Sequence, residues 1–143
     1  MLATTHAITG ALIASQATTP EIGFIAAIAS HPLLDLFPHW DLHTRHSHKT
    51  KITIIWTSLL DAGIGFAIGW LLFKNTVSLS VLFVTMFLSQ IFDWIEAPYH
   101  VFDWQFFPFA TIKKIQHYWH SKLQFPWGLL PQLAILAAAI YLS

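Results

Sequence analysis

The chain contains no cysteine in its 143 residues, and this absence excludes several kinds of site. Disulfide bridges, thiolate zinc sites and cysteine nucleophiles all need a sulfur atom that the sequence does not supply. Charge is also scarce, because Asp, Glu, Lys and Arg make up 10% of the residues and their formal charges cancel. Soluble domains carry about 25% charged residues, so the deficit indicates a lipid environment. The lack of a basic excess argues against nucleic-acid binding.

Apolar sequence is abundant, and it falls into segments long enough to be membrane helices. Hydrophobic residues make up 55% of the chain, and crossing the hydrocarbon layer as a helix takes about 20 of them in succession. Two runs have about that length, at residues 52–73 and 77–95, and three shorter runs cover residues 2–17, 22–37 and 127–142. The first run is not preceded by the basic region of a signal peptide, so we expect it to stay in the mature protein.

One further segment is amphipathic rather than wholly apolar. In residues 111–124, an apolar stripe of helical period lies beside a face that carries Lys113, His117 and His120. Such a pattern is typical of a helix that lies on the membrane surface. The sequence therefore predicts an all-α integral membrane protein, a single membrane-embedded helical domain over residues 1–143. We expect about five membrane helices, with four as the alternative count, and one interfacial amphipathic helix.

The chain is rich in histidine, with nine residues, and following the predicted helices through the membrane brings all of them to one face. Each predicted hairpin of helices returns to the side from which it starts, so the convergence does not depend on whether the short runs cross completely. The basic side chains lie on the same face, with the exception of Lys74. Because short cytoplasmic loops are enriched in Lys and Arg, we expect this face of an inner or plasma membrane protein to be cytoplasmic.

Histidine is the commonest metal-ligating side chain, and here it recurs with aspartate at helical spacings. His31 and Asp35 are four residues apart and share a helix face. A simple hydrogen-bonded pair is the alternative for these two, and an ordinary polar face is the alternative for His117 and His120. The candidate metal ligands are His6, His31, Asp35, His39, Asp41, His117 and His120.

Acidic residues in the membrane segments form a second group of candidates, because burying a carboxylate in hydrocarbon is expensive. Asp93 and Glu96 are candidate catalytic residues, as general bases or as further ligands, with simple solvation as the alternative. Asp61 stands alone in the third apolar run, where we expect it to pair with Ser58 or with a polar group on another helix, or to support a ligand histidine. Arg45 and Lys113 are candidates for binding an anionic substrate headgroup.

Two motifs resemble the membrane-bound metal-dependent hydrolase family of small inner-membrane proteins. They are Thr5-His6-Ala-Ile-Thr-Gly10 and Ser30-His31-Pro-Leu-Leu-Asp35-Leu-Phe-Pro38-His39-Trp-Asp41. The resemblance covers residues 4–100 and implies a metal-assisted hydrolysis. The chain departs from the family pattern at Arg45-His46-Ser47-His48, a scrambled form of one family element, and at Gln90, which stands close to a family histidine. The chain is also loosely similar to the all-helical zinc phospholipases C.

These patterns favour a metal-dependent hydrolase that acts on a lipid or another phosphoester at headgroup depth. A divalent ion lowers the pKa of water to about 7, and mixed histidine and carboxylate ligands suit zinc first, with iron or manganese as alternatives. One rival is a membrane di-iron oxygenase of the desaturase or hydroxylase type, which the His39-x-x-x-His43 and His117-x-x-His120 spacings fit in part. The other is a non-enzymatic metal-binding or transport protein, for which Asp61 would be the midplane acid.

Overall fold

The computed structural model describes residues 1–41, 50–119, 121 and 123–143, and over these ranges the chain is helical, without a strand. Within them the helices are α1 Ala3–Gln16, α2 Pro20–Asp35, α3 Lys51–Phe73, α4 Leu79–Leu88, α5 Ile91–Val101, α6 Phe109–Trp119 and α7 Leu130–Leu142. A short 3-10 turn, Trp127–Leu129, leads into α7. The predicted all-α class is confirmed, and each predicted segment corresponds to a helix or, for residues 77–95, to parts of two.

Side-chain caps set the first turns of α2 and α3. The hydroxyl of Thr19 accepts from the amide of Ile22 at 3.4 Å, and that of Thr50 accepts from the amide of Thr53 at 3.2 Å. These bonds satisfy amides that have no partner within the first turn of a helix. Pro20 begins α2, where its missing amide hydrogen costs nothing. The turn from α1 into α2 is therefore short, and the end of α2 returns to the start of α1.

The run that the sequence predicts as one helix over residues 77–95 is instead divided between α4 and α5, which are bent by 55° relative to each other. At the break, the hydroxyl of Ser89 donates to the carbonyl of Met86 at 2.7 Å, which competes with the helical ladder. The amide of Asp93 donates to the carbonyl of Gln90 at 3.0 Å, whereas an unbroken helix would use that of Ser89. The Ser89 carbonyl is therefore available to a side chain from another helix.

Small residues allow α1 to lie at the centre of the bundle, in contact with α2, α3, α4 and α7. Gly10 faces α4, where an added methyl group would lie 2.8 Å from the Met86 Cα. Gly65 of α3 faces α1, where an added methyl group would lie 2.6 Å from the Thr4 Cα. Such close approach of helix backbones is typical of packing in lipid, and the Gly65-x-x-x-Gly69 spacing in α3 is a pattern that favours it.

A methyl group at Gly65 should destabilise the fold, whereas one at Gly63 on the same helix should not. The Gly65→Ala side chain would meet the backbone of α1 and force the helices apart, at a cost of about 1–3 kcal/mol in the free energy of unfolding. The space beside Gly63 is open, so Gly63→Ala should be neutral or stabilise by up to about 1 kcal/mol. Unfolding in mixed micelles, followed by circular dichroism, measures both values. Equal effects of the two substitutions would contradict the described packing.

The outer surface of the bundle is strongly apolar. Among the described helices, α3 is long and apolar enough to cross a membrane, and α4 with α5 qualifies as a second span if the bent pair is counted as one. Only 17% of the apolar window of α3 is buried inside the protein, and Trp56 on this helix is 62% exposed. The remaining predicted spans, α1, α2 and α7, are shorter than a membrane-crossing helix. The count of four to five membrane helices stays a prediction.

Candidate metal centre

The carboxylate of Asp35, at the end of α2, is the point on which the predicted ligands converge. The Nε2 atoms of His6, His31 and His39 lie 3.3, 3.5 and 3.8 Å from its oxygens. The N-terminal ammonium of Met1 also contacts Asp35 Oδ1. All of these side chains are buried, and that of Asp35 is only 3% exposed. Residues from α1, from α2 and from the segment after α2 are therefore brought into one polar cluster.

Backbone carbonyls fix the orientation of two of these imidazole rings. His31 Nδ1 lies 2.8 Å from the carbonyl of Ser89, at the break between α4 and α5, and His39 Nδ1 lies 2.7 Å from the carbonyl of Phe37. Because a carbonyl only accepts, Nδ1 is the donor in both contacts, and Nε2 of each ring is directed toward Asp35. Metal-ligating histidines are oriented in this way.

His39 is held in place by the backbone of a distant segment. Its amide donates to the carbonyl of Ser121 at 3.1 Å, and its carbonyl accepts from the amide of Leu123 at 2.9 Å. The amide of Ser121 in turn donates to the carbonyl of Asp35 at 3.2 Å. The chain that follows α2 is therefore fixed against the chain that precedes α7, and His39 points back toward Asp35.

Asp93, at the start of α5, completes a group with metal-binding geometry. One ligand atom from each of His6, His31 and Asp93 lies within 4.8 Å of the others, and His31 Nε2 is 3.6 Å from Asp93 Oδ1. The rings of His6 and His31 are stacked with centroids 4.0 Å apart. Neither nitrogen of His6, nor His31 Nε2, has a hydrogen-bond partner in the part of the chain that the structure describes. Buried polar atoms without partners are rare, so the donor set fits a metal ion.

The start of α1, which carries His6, is anchored by two residues from other helices. Asp61 of α3 accepts from the amides of Ala3 and Thr4 at 2.7 and 3.2 Å, and from the hydroxyl of Thr4 at 2.6 Å. A carboxylate in this position also interacts favourably with the positive end of the helix dipole. Of the alternatives predicted for Asp61, the structure therefore shows pairing with a polar group on another helix.

Gln132 of α7 is the second anchor, and it is not among the residues predicted from the sequence. Its side-chain oxygen accepts from the amide of Leu2 at 3.2 Å and from the hydroxyl of Thr5 at 3.0 Å. Its side-chain nitrogen donates to the carbonyls of Trp40 and Gly128 at 2.9 and 3.0 Å. A buried glutamine in an otherwise apolar helix was the available signal, because such a residue needs hydrogen-bond partners.

The remaining predicted site residues lie outside the metal-binding group or outside the described residues. Asp41 is buried and lines a neighbouring cavity, and His117 is exposed on α6, outside the metal-binding group. Glu96, predicted as a catalytic residue, accepts a hydrogen bond from His100 Nε2 at 2.7 Å. The predicted metal ligand His120 and the predicted substrate-binding residue Arg45 lie outside the described residues, as do His43, His46 and His48.

Lys113, the other residue predicted to bind substrate, pairs with an aromatic side chain. Its Nζ donates to the hydroxyl of Tyr99 at 3.3 Å and lies 4.5 Å from the centroid of the same ring. This contact joins α6 to α5 through a cation–π interaction. It places the ammonium beside α5 without bringing it into the metal-binding group.

A cavity of about 280 Å³ lies beside the metal-binding group, between the start of α1, α3, α5 and α6. Asp93 belongs to both the group and the cavity wall. The apolar part of the wall comes from α3 and α5 and includes Ile54, Ile55, Leu59, Ala62, Ala97 and Val101. The polar part includes Asp41, Asp61, Gln90, Asp93, Glu96, His100 and Gln116. A small molecule in this space would have both a metal-binding group and a histidine–glutamate pair within reach.

Comparisons with protein-family models, with characterised proteins and with solved structures find no match to this chain. Its function must therefore be inferred from the centre itself. The described donor set combines imidazole nitrogens with carboxylate oxygens, and such a group can hold a metal ion.

Proposed function

We propose that the protein is a membrane-embedded, metal-dependent hydrolase with a divalent ion held by His6, His31, Asp35 and Asp93, and with His39 as a further ligand. One observation carries this proposal: buried nitrogens of His6 on α1 and His31 on α2, which have no hydrogen-bond partner among the described residues, face the carboxylates of Asp35 on α2 and Asp93 on α5. Zinc suits this donor set first, and iron or manganese second. The motifs around His6 and around His31 and Asp35, which resemble those of membrane-bound metal-dependent hydrolases, support the same reaction class.

The side chains around the cavity suit the transfer of protons during hydrolysis. A bound divalent ion supplies Lewis acidity and lowers the pKa of water to about 7. His100 lines the cavity and is held by Glu96 at 2.7 Å, so the histidine accepts a proton from water and returns it to the leaving group. Glu96 fixes the orientation of the ring and stabilises its protonated form, as the acidic partner does in other histidine pairs.

The apolar exterior supports a location in the membrane. Exposed large side chains cover α3, including Trp56, Leu60 and Leu71, and a soluble protein rarely exposes apolar patches of this extent. The metal-binding group lies where α1 begins and α2 ends, at one end of the bundle. We infer that this end of the bundle lies at headgroup depth, and the bias of Lys and Arg toward this side in the sequence supports a cytoplasmic face. The substrate is therefore expected to be a membrane lipid.

The observed role of Asp61 bears on the transport alternative. This residue was the midplane acid on which metal transport would depend, and its carboxylate is already used by three hydrogen bonds from the start of α1. No contact among the described residues favours metal transport over hydrolysis. The oxygenase alternative differs from the proposal in its metal, since it requires iron.

The proposed activity is tested with the protein in lipid nanodiscs and a panel of fluorogenic lipid esters and phosphoesters. We expect hydrolysis that is lost after chelation and restored by zinc. Glu96→Gln should lower kcat about 100-fold without changing zinc content, since it removes the charge that stabilises protonated His100, and general acid–base catalysis contributes roughly that factor. Glu21→Gln is the matched control, because Glu21 is exposed in the first turn of α2. Activity that needs iron and oxygen, or equal activity before and after chelation, would contradict the proposal.

A further inference from the structure

The stacking of the His6 and His31 rings does not suit a single metal ion shared between them. The ring centroids are 4.0 Å apart and the ring planes differ by only 10°. An imidazole binds a metal ion through a nitrogen lone pair, which lies in the plane of its ring. An ion midway between the two rings would lie up to about 2 Å outside each plane, as far as a zinc–nitrogen bond is long. The stack therefore favours one ion in the plane of each ring.

The two carboxylate oxygens of Asp35 are divided between these histidines in the same way. His6 Nε2 lies 3.3 Å from Oδ1, and His31 Nε2 lies 3.5 Å from Oδ2. Two ligands of one tetrahedral zinc ion, with bonds of about 2.0–2.1 Å, are roughly 3.4 Å apart. Each histidine therefore stands at the spacing of a fellow ligand from its own carboxylate oxygen. A carboxylate that binds one ion through each oxygen joins the two ions.

Each half of this arrangement has a third donor. His39 Nε2 lies 3.8 Å from Asp35 Oδ1, on the side of His6. Asp93 Oδ1 lies 3.6 Å from His31 Nε2, on the side of Asp35 Oδ2. Three protein ligands with an open fourth position are the arrangement of catalytic zinc sites. The donors present therefore suffice for two ions.

The two halves differ in their surroundings. The ammonium of Met1 contacts Asp35 Oδ1, so an ion beside this oxygen has to displace a positive charge, whereas no such contact is described for Oδ2. Asp93, on the other half, lines the cavity of about 280 Å³. The ion beside His31 and Asp93 is therefore expected to bind first, and it is the one that a molecule in the cavity can reach.

We propose that Asp35 bridges two divalent ions; this rests on the proposed hydrolase function and divides the ligands of its metal centre into two sets. The first ion is held by His6, His39 and Asp35 Oδ1, and the second by His31, Asp93 and Asp35 Oδ2. Ions in the planes of the stacked rings are separated by about the 4.0 Å between the rings, and two-metal hydrolytic sites have separations of roughly 3.5–4 Å. Such a pair stabilises the attacking and the leaving oxygen together.

The number of zinc ions in ligand variants tests this division. At a free zinc concentration that saturates the unmodified protein, we expect two ions per chain by equilibrium dialysis and elemental analysis. His39→Gln and Asp93→Asn each remove a ligand of one ion only, so each variant should hold one ion fewer. His117→Gln is the matched control, because His117 is exposed on α6, and it should hold as many ions as the unmodified protein. Unchanged zinc content in both ligand variants would overturn the proposal.

Electron paramagnetic resonance of the unmodified protein loaded with Mn²⁺ tests the bridge without any substitution. Two ions about 4 Å apart on one carboxylate are magnetically coupled, so we expect a broad coupled spectrum in place of the sharp hyperfine lines of isolated Mn²⁺. Isolated lines at full loading would overturn the bridge. A single ion per chain would also overturn it, while leaving a one-metal hydrolase intact. A protein that binds neither zinc nor manganese would contradict the proposed function itself.

Discussion

The Asp35→Asn variant is expected to lose its metal ion. Three histidine Nε2 atoms approach this carboxylate within 3.8 Å, so the substitution removes the central charge while keeping the size of the side chain. Loss of a residue that only orients a ligand weakens metal affinity about 10- to 100-fold. Loss of Asp35, as a ligand, should weaken zinc affinity by more than that. Equilibrium dialysis against zinc, followed by elemental analysis, measures the change.

Asp103→Asn is the matched control for this experiment. Asp103 pairs with Lys51 on the surface, and its backbone has a φ of 57°, a conformation that asparagine adopts readily. The control should bind zinc as the unmodified protein does. Zinc affinity that is equal in the Asp35→Asn variant and in the control would show that Asp35 is not a ligand.

Asp61→Ala is expected to lower both stability and metal affinity, although Asp61 is not a ligand. The substitution removes the acceptor for two amides and one hydroxyl at the start of α1. Loss of a helix cap and its partners should cost about 2–3 kcal/mol in the free energy of unfolding. Because this end of α1 positions His6, zinc affinity should also fall about tenfold. Circular dichroism and zinc dialysis measure the two effects.

Asp61→Asn separates the hydrogen bonds from the charge. Asparagine keeps an acceptor oxygen for the start of α1, so its stability should lie between that of the unmodified protein and that of Asp61→Ala. A direct role of Asp61 as a metal ligand would predict that both variants lose zinc completely. That result would contradict its assignment as an anchor for α1.

The helices were predictable because their apolar runs are long and bounded by clear breaks. The run at residues 52–73 corresponds to α3 at Lys51–Phe73, since the cap at Thr50 and the turn after Phe73 are local features. The bend between α4 and α5 was not predictable, because Ser89 and Gln90 stand between two apolar stretches. Two such polar residues are compatible with a straight helix, and the hydrogen bond from the Ser89 side chain to the helix backbone forms only in one of the alternatives.

The metal-binding residues were predictable by type, but their arrangement was not. His31 and Asp35 share a face because of their spacing, and this holds in any helix. The approach of His6 depends on the short turn between α1 and α2, and that of Asp93 depends on the bend after α4. Histidine spacing alone did not tell which residues of α6 face the bundle, so His117 was predicted as a ligand although it is exposed.

Gln116 shows which signal the sequence did contain. It lies four residues after Ile112 and three before Trp119, both members of the apolar stripe of the predicted interfacial helix. A polar residue on an apolar stripe faces the protein interior and needs a partner there. His117 was predicted as a ligand because it is a histidine, whereas the helical period of the apolar stripe indicates that Gln116 is the buried residue.

The measurement that tests the central claim most directly is zinc K-edge X-ray absorption on the purified, zinc-dialysed protein, together with its metal content. The account predicts at least one zinc ion per chain, with imidazole nitrogens at about 2.0–2.1 Å and a spectrum altered in the Asp35→Asn variant. A protein that binds no zinc, or binds it without imidazole ligands, would contradict a metal centre at His6, His31, Asp35 and Asp93.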